Sequence, residues 1–158
     1  MNIRPMTSED KPALMNILQN TPEFTRAEVL LAEEVVDASL LNPSRSGYFS
    51  LVAVEGSFFA GFVCYGPTPI TESTWDVYWL AVEHHSQGRG IGRILMEAVE
   101  EKIKQAGGRL VLLETSSKPG YEKTNLFYHR MGYKEIGRII DFYAVGDDRI
   151  TYEKRFNA

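Results

Sequence analysis

The strongest constraint on this chain lies between residues 75 and 114, where a strand, a glycine-rich turn, a helix and a second strand follow one another. Trp75, Val77, Tyr78, Trp79 and Val82 supply the aromatic and β-branched side chains that favour an extended backbone over residues 75–82. Ile91, Leu95, Ala98, Val99 and Ile103 recur at helical spacing, and Gly107-Gly108 ends that helix near residue 106. Residues 110–114 form a short, continuous apolar strand. A strand that returns through a crossover helix pairs in parallel with the one it left. The junction itself reads Gln87-Gly88-Arg89-Gly90-Ile91-Gly92. Glycines let a backbone approach an anion closely, and the free N–H groups of a first helical turn point at it along the helix dipole. Arg89 adds positive charge beside them. A tight turn that merely needs glycines is the structural alternative, although a plain strand-to-helix turn rarely needs so many. No Gly-Lys-Ser/Thr follows, which excludes a Walker A loop, and the spacing differs from the G-x-G-x-x-G dinucleotide fingerprint.

The flanking chain completes one domain. Residues 2–4 read as a short strand, and residues 10–18 as a helix with Asp10 as N-cap and Pro12 in its first turn. Thr25-Arg26-Ala27-Glu28 is a capping box, with Phe24 and Val29 placed as a hydrophobic staple. That helix runs to about residue 41, where Asn42-Pro43 stops it. Residues 49–55 and 58–66 flank the hairpin signal Gly56-Ser57. Residues 124–130 form a short helix closed by Gly132, and residues 133–143 and 148–156 an antiparallel pair around Gly146-Asp147. The expected architecture is α/β (α+β): a single domain over residues 1–158 with a mixed, mostly antiparallel central sheet flanked by helices.

Composition narrows the function. The net charge of -4 gives no electrostatic footprint for nucleic acid, and 44% hydrophobic with 24% charged residues is that of a soluble globular domain. Cys64 is the only cysteine, so no intrachain disulfide and no multi-thiolate metal site is expected; its apolar run reads as core. His84 and His85 are adjacent and lack a third ligand, so they read as a surface turn and no metal is expected. No secretory h-region and no run of roughly 20 apolar residues is seen, so the expectation is a cytoplasmic protein with no membrane contact.

The phosphate loop and a second element together resemble the GNAT (Gcn5-related N-acetyltransferase) superfamily. Gln87-Gly88-Arg89-Gly90-Ile91-Gly92 matches that family's Gln/Arg-x-x-Gly-x-Gly/Ala signature, and Leu80-Ala81-Val82 its apolar strand end before the loop. Phe127-Tyr128-His129-Arg130-Met131-Gly132-Tyr133 is similar to its later Phe/Leu-Tyr-x-x-x-Gly-Phe/Tyr element. The resemblance implies the GNAT fold, with a parallel strand pair splayed apart. It implies an enzyme that transfers an acetyl group from acetyl-coenzyme A, as co-substrate, to a primary amine by direct attack through a tetrahedral intermediate. Backbone groups of Leu80, Ala81 and Val82 would meet the pantetheine arm. Those of Gln87, Gly88, Arg89, Gly90, Ile91 and Gly92, with Arg93, would meet the pyrophosphate.

Tyr128 matches the family's tyrosine near the thioester sulfur, where a protonated phenol can serve the leaving thiolate. Asp76 is the expected base, directly or through a water, because the family's lysine-acetylating branch has a glutamate at that offset from the loop. Strand alternation sets Asp76, Tyr78 and Leu80 on one face and Trp75, Val77 and Trp79 on the other. The family's asparagine before the tyrosine is absent: Tyr121 stands there, and Asn125 is the expected substitute contact to the cofactor. Glu114 is expected to line the acceptor pocket or pair with a cation, and Phe24, Tyr65, Tyr78, Phe142 and Tyr143 are its aromatic candidates. The acceptor stays open between a small-molecule amine and a protein amine, and the donor between acetyl and longer acyl groups. A homodimer is also compatible. The competing class is a GNAT-fold module that senses acyl-coenzyme A without turnover.

Overall fold

A computed structural model of the protein describes residues 1–156. Its elements are β1 (Asn2–Pro5), α1 (Lys11–Gln19), α2 (Arg26–Leu41), α3 (Pro43–Ser46), β2 (Phe49–Glu55), β3 (Phe58–Pro67), β4 (Thr74–Val82), α4 (Ile91–Gln105), β5 (Leu110–Ser116), α5 (Glu122–Arg130), β6 (Lys134–Ala144) and β7 (Asp147–Arg155). The seven-stranded sheet has the order β1-β2-β3-β4-β5-β7-β6. Among the described residues only β4 and β5 are parallel, with α4 as the crossover between them. Among the described residues no helix is long and apolar enough to cross a membrane.

Alternation along the strands sorts the core into two layers. Leu51, Val63, Val77 and Val111 meet α4 and α5 on one face; Val52, Phe62 and Cys64 meet α1 and α2 on the other. Burial pushes the Cys64 thiol up to about 12, which makes it an inert core side chain. On α4, Ile91, Leu95, Met96, Val99 and Ile103 form the buried stripe, each worth roughly 1.5–3 kcal/mol of apolar burial.

Local signals explain the helix starts. In α2 the Glu28 N–H donates to Thr25 Oγ1 at 3.1 Å and the Thr25 N–H to Glu28 Oε1 at 3.5 Å, the capping box that the sequence spells. Asp10 stands at the N-cap position of α1 as expected, but its side chain makes no capping bond there. Its carboxylate takes both arms of the Arg4 guanidinium, at 2.8 and 2.9 Å, and the Thr7 N–H at 2.8 Å, and a 3-10 turn at Ser8–Asp10 intervenes. A bidentate charged partner outcompetes a helix cap. Asn42 ends α2 as expected, and its Oδ1 then accepts from the Arg45 N–H at 3.3 Å to start α3, a short helix that the sequence pattern leaves unread.

An irregularity in β4 decides which side chains face α4 and α5. Cys64 pairs with Trp79 but Tyr65 pairs with Val77, so Tyr78 is an extra residue against β3. The bulge shifts the alternation by one. Leu80 and Val82 therefore join Trp75 and Val77 on the α4–α5 face, while Tyr78, Trp79 and Ala81 pack on the α1–α2 face. The uninterrupted alternation expected for Leu80 and Trp79 is thus corrected.

Glu100 is an acid on the inner stripe of α4. It accepts from the Tyr133 hydroxyl at 2.9 Å and from Lys154 Nζ at 2.8 Å, and Lys154 also donates to the Met131 carbonyl at 2.8 Å. Breaking one partner of a buried pair leaves an uncompensated charge. Lys154→Ala should therefore cost about 2–3 kcal/mol, moderated by the lysine's partial exposure; equilibrium urea unfolding measures it, and an unchanged midpoint would contradict this role.

Candidate active site

The two parallel strands separate partway along their length. β4 and β5 pair from Thr74↔Leu110 to Val77↔Leu113 and no further. β5 continues with β7 as far as Ser116↔Arg149, and β4 with β3 as far as Val82↔Gly61. The Glu83 N–H donates to the Ala60 carbonyl at 2.8 Å. Backbone polar groups alternate in direction along a strand, so Ala81 also turns toward β3, and Leu80 and Val82 turn toward the opening. Ala81, expected among the cofactor contacts, has its polar groups inside the sheet and its methyl in the α1–α2 layer.

The glycine loop comes next in the chain. Gly88 and Gly90 both have φ +80°, and a Cβ at either would meet nothing within 4 Å, so they are glycines for conformation and not for space. Gly92 has no such backbone demand, and a Cβ there would lie in ordinary contact with the Phe127 ring, at 3.4 Å. Among the described residues, no acceptor meets the N–H groups of Gly88, Arg89, Gly90, Ile91, Gly92 or Arg93; the first bond of α4 runs from the Ile94 N–H to the Gly90 carbonyl. Consecutive unpartnered N–H groups at a helix start form an anion cradle. Side chains contribute less here. Gln87 Nε2 donates to the Val82 carbonyl at 3.3 Å and ties the loop to the strand end, while Arg89 lies 3.5 Å from Glu55 and Arg93 2.9 Å from Glu97.

Tyr128 lies on α5, 6% exposed, with its ring against Phe127, Tyr133 and Tyr152 at centroid distances of 5.1, 5.8 and 6.3 Å. Its hydroxyl makes no hydrogen bond among the described residues. Burial, and then the neighbouring Tyr121, holds this phenol above the usual tyrosine range. Tyr121 is raised in turn by burial and by Glu28 and Glu23 on the α1–α2 side.

Asn125 departs from expectation. Its Nδ2 donates to the Ser116 carbonyl at 3.2 Å and the Tyr121 carbonyl at 3.0 Å, and its Oδ1 accepts from Thr115 Oγ1 at 2.6 Å and the Tyr152 hydroxyl at 2.9 Å. Two donors and two lone pairs are the whole capacity of a carboxamide, so no polar group is left for a cofactor.

Asp76 sits on the α1–α2 face, just before the strands part, and accepts from Thr68 Oγ1 at 2.7 Å and the Tyr78 hydroxyl at 3.4 Å. Burial, and then Asp76, pushes the Tyr78 phenol up to about 12. Asp76 and Tyr128 therefore stand on opposite faces of the sheet. Glu114 is exposed and pairs with Arg149 at 2.7 Å, whose guanidinium lies 4.5 Å over the Phe142 ring. The expected aromatic pocket does not form as one group. Tyr65 is core beside Phe49 and Trp75, Tyr78 packs with Tyr48 on the other face, and Phe142 and Tyr143 pair with each other on β6. His84 and His85 form an exposed 3-10 turn.

A family model for the acetyltransferase (GNAT) domain matches residues 46–135, more than half of the chain, and the protein belongs to that family. Its fold superposes on a GNAT-family protein from Desulfovibrio desulfuricans with a TM-score of 0.92 and 37% identity, covering 98% of both chains. It is 29% identical over 140 residues to the uncharacterized N-acetyltransferase YhfO of Bacillus subtilis, covering 85% of this chain and 91% of that one. An aminoglycoside 6'-N-acetyltransferase solved with coenzyme A shares the fold at a TM-score of 0.79 and 22% identity, covering 100% of this chain and 98% of that one.

The cradle makes a direct prediction. Gly90→Asp places a side chain in open space, so the fold should survive at a cost of about 1–2 kcal/mol for the left-handed backbone. Its carboxylate would face any bound pyrophosphate, and coenzyme A affinity by calorimetry should fall more than about tenfold; unaltered affinity would remove the loop from the site.

Proposed function

We propose that the protein is an N-acetyltransferase that moves the acetyl group of acetyl-coenzyme A to a primary amine. The observation that carries this reading is the run of unpartnered N–H groups from Gly88 to Arg93, beside a strand whose outward polar groups are also unpaired by β5. The loop's N–H groups suit a pyrophosphate, and Leu80 and Val82 suit the amides of a pantetheine arm, which would take the place of a missing strand.

In this reading the neutral amine nitrogen attacks the thioester carbonyl and a C–N bond forms. An N–H at Leu80 or Val82 meets the charge that develops on the carbonyl oxygen. As the C–S bond breaks, Tyr128 gives its phenol proton to the departing thiolate, and solvent restores it. The proton lost by the amine passes to Asp76, directly or through a water. Tyr128 suits the acid role because burial keeps it protonated and its hydroxyl has no competing protein partner. Asp76 suits the base role by position: it lies on the other face, one residue before β4 and β5 part, so donor and acceptor chemistry approach the reacting carbon from opposite sides.

Thiol release from acetyl-coenzyme A, followed across a polyamine, a free amino acid and a peptide N-terminus, tests the reading. Tight binding without release for any of them would favour an acyl-coenzyme A sensor. Tyr128→Phe should lower kcat by about 100-fold while coenzyme A affinity changes less than about twofold; equal losses in both would make Tyr128 a binding residue only. A raised phenol pKa means that the donor stays protonated as pH rises, so kcat should show no falling limb from this group below pH ~10.

A further inference from the structure

We infer that Asn125 is a positioning residue for the reaction: its carboxamide locks the free end of β5 and β7 to α5 and so fixes where the Tyr128 phenol stands. This rests on the reading of Tyr128 as the acid.

The need for such a lock arises from the opening of the sheet. Beyond Leu113, β5 has lost β4 and is held in the sheet by β7 alone. Ser116 and Thr115 lie on that one-sided stretch, and both reach Asn125, one through its carbonyl and one through its hydroxyl. Tyr152 supplies the third anchor from β7. The fourth bond returns to the Tyr121 carbonyl, which also accepts from the Asn125 N–H at 2.9 Å, closing the first turn of α5. Residues three apart on a helix lie on adjacent turns of one face, so Asn125 sits directly below Tyr128. Tyr152 touches both, with its hydroxyl on Asn125 and its ring 6.3 Å from the Tyr128 ring. The strand wall, the helix and the phenol therefore share one junction. A shift of α5 against β5 would carry the phenol with it, and displacements near 1 Å can cost on the order of 100-fold in rate.

The geometry also fixes which substitutions test it. Asn125→Ala removes every anchor. Tyr152→Phe removes a single hydroxyl and keeps the packed ring, so it stays informative if the alanine variant folds poorly. Asn125→Asp keeps the acceptor oxygen but turns a carboxylate oxygen on the Ser116 and Tyr121 carbonyls, so it should cost at least as much as Asn125→Ala. Each is made in the wild-type and Tyr128→Phe backgrounds. The rate is thiol release from acetyl-coenzyme A with whichever of the polyamine, amino acid and peptide N-terminus turns over fastest, and the affinity is calorimetry with coenzyme A. Asn125→Ala should lower kcat about 10- to 100-fold and Tyr152→Phe about threefold to tenfold, with coenzyme A affinity within about twofold. In the Tyr128→Phe background both should cost less than about twofold, because the group they position is gone. Unchanged kcat in both variants, fully multiplicative losses with Tyr128→Phe, or a loss of affinity equal to the loss of kcat would each overturn the assignment. Full turnover in Tyr128→Phe alone would overturn the acid reading itself and this inference with it, whereas an impaired Tyr128→Phe with an unimpaired Asn125→Ala overturns only the positioning role.

Discussion

The separation of β4 from β5 after Val77 and Leu113 is the constraint on which the rest of the site depends. Inside a sheet every strand satisfies its neighbour's polar groups, and parting two strands leaves a row of donors and acceptors without partners. The protein accepts that cost at one place. Each strand keeps its other neighbour, β3 for β4 and β7 for β5, so the sheet stays continuous at its base and open at its rim. The Tyr78 bulge sits where the opening begins and turns the strand by one residue, so the side chains of Leu80 and Val82 shift to the α4–α5 face.

The opening leads to the start of α4, and the two features share one chemistry. A split strand and a helix N-terminus both present main-chain N–H groups that the fold cannot satisfy itself. Gly88 and Gly90 supply the left-handed turns that aim them, and Gly92 stands against the Phe127 ring of α5, the helix that carries Tyr128. In the proposed reading the cofactor side is thus built from backbone, with few side chains taking part. The acceptor side of that reading differs: Glu23 from the α1–α2 loop and Glu28 from α2 lie near Tyr121 at the start of α5, and Glu114 of β5 pairs with Arg149 of β7.

Much of this was legible in the sequence wherever the determinant is local. The capping box at Thr25, the parallel crossover through α4 and the glycines at positive φ each depend on residues a few places apart. Local pattern misleads where the deciding partner is distant. The alternation of β4 breaks because of a register slip against β3, which no pattern within residues 75–82 reveals. Asn125 looked like a cofactor contact because it stands near the family's tyrosine, yet its partners come from β5 and from Tyr152, 27 positions away. Glu100 falls on the buried stripe of α4 for the same reason: Lys154, 54 positions on, makes its charge tolerable there. Arg4 takes the Asp10 carboxylate away from its helix end by a pairing that the helix signal cannot anticipate.

The division between a backbone-built half and a side-chain-built half has an evolutionary consequence. Mutation changes side chains and leaves main-chain N–H groups in place, so the surface from Leu80 to Arg93 resists drift as long as its glycines stay. In the proposed reading the loop between α1 and α2 and the β6–β7 hairpin face the acceptor and carry no such protection, so each substitution there alters the shape and charge that an incoming molecule meets. A lineage with this scaffold can exchange one acceptor for another while its donor half stays the same.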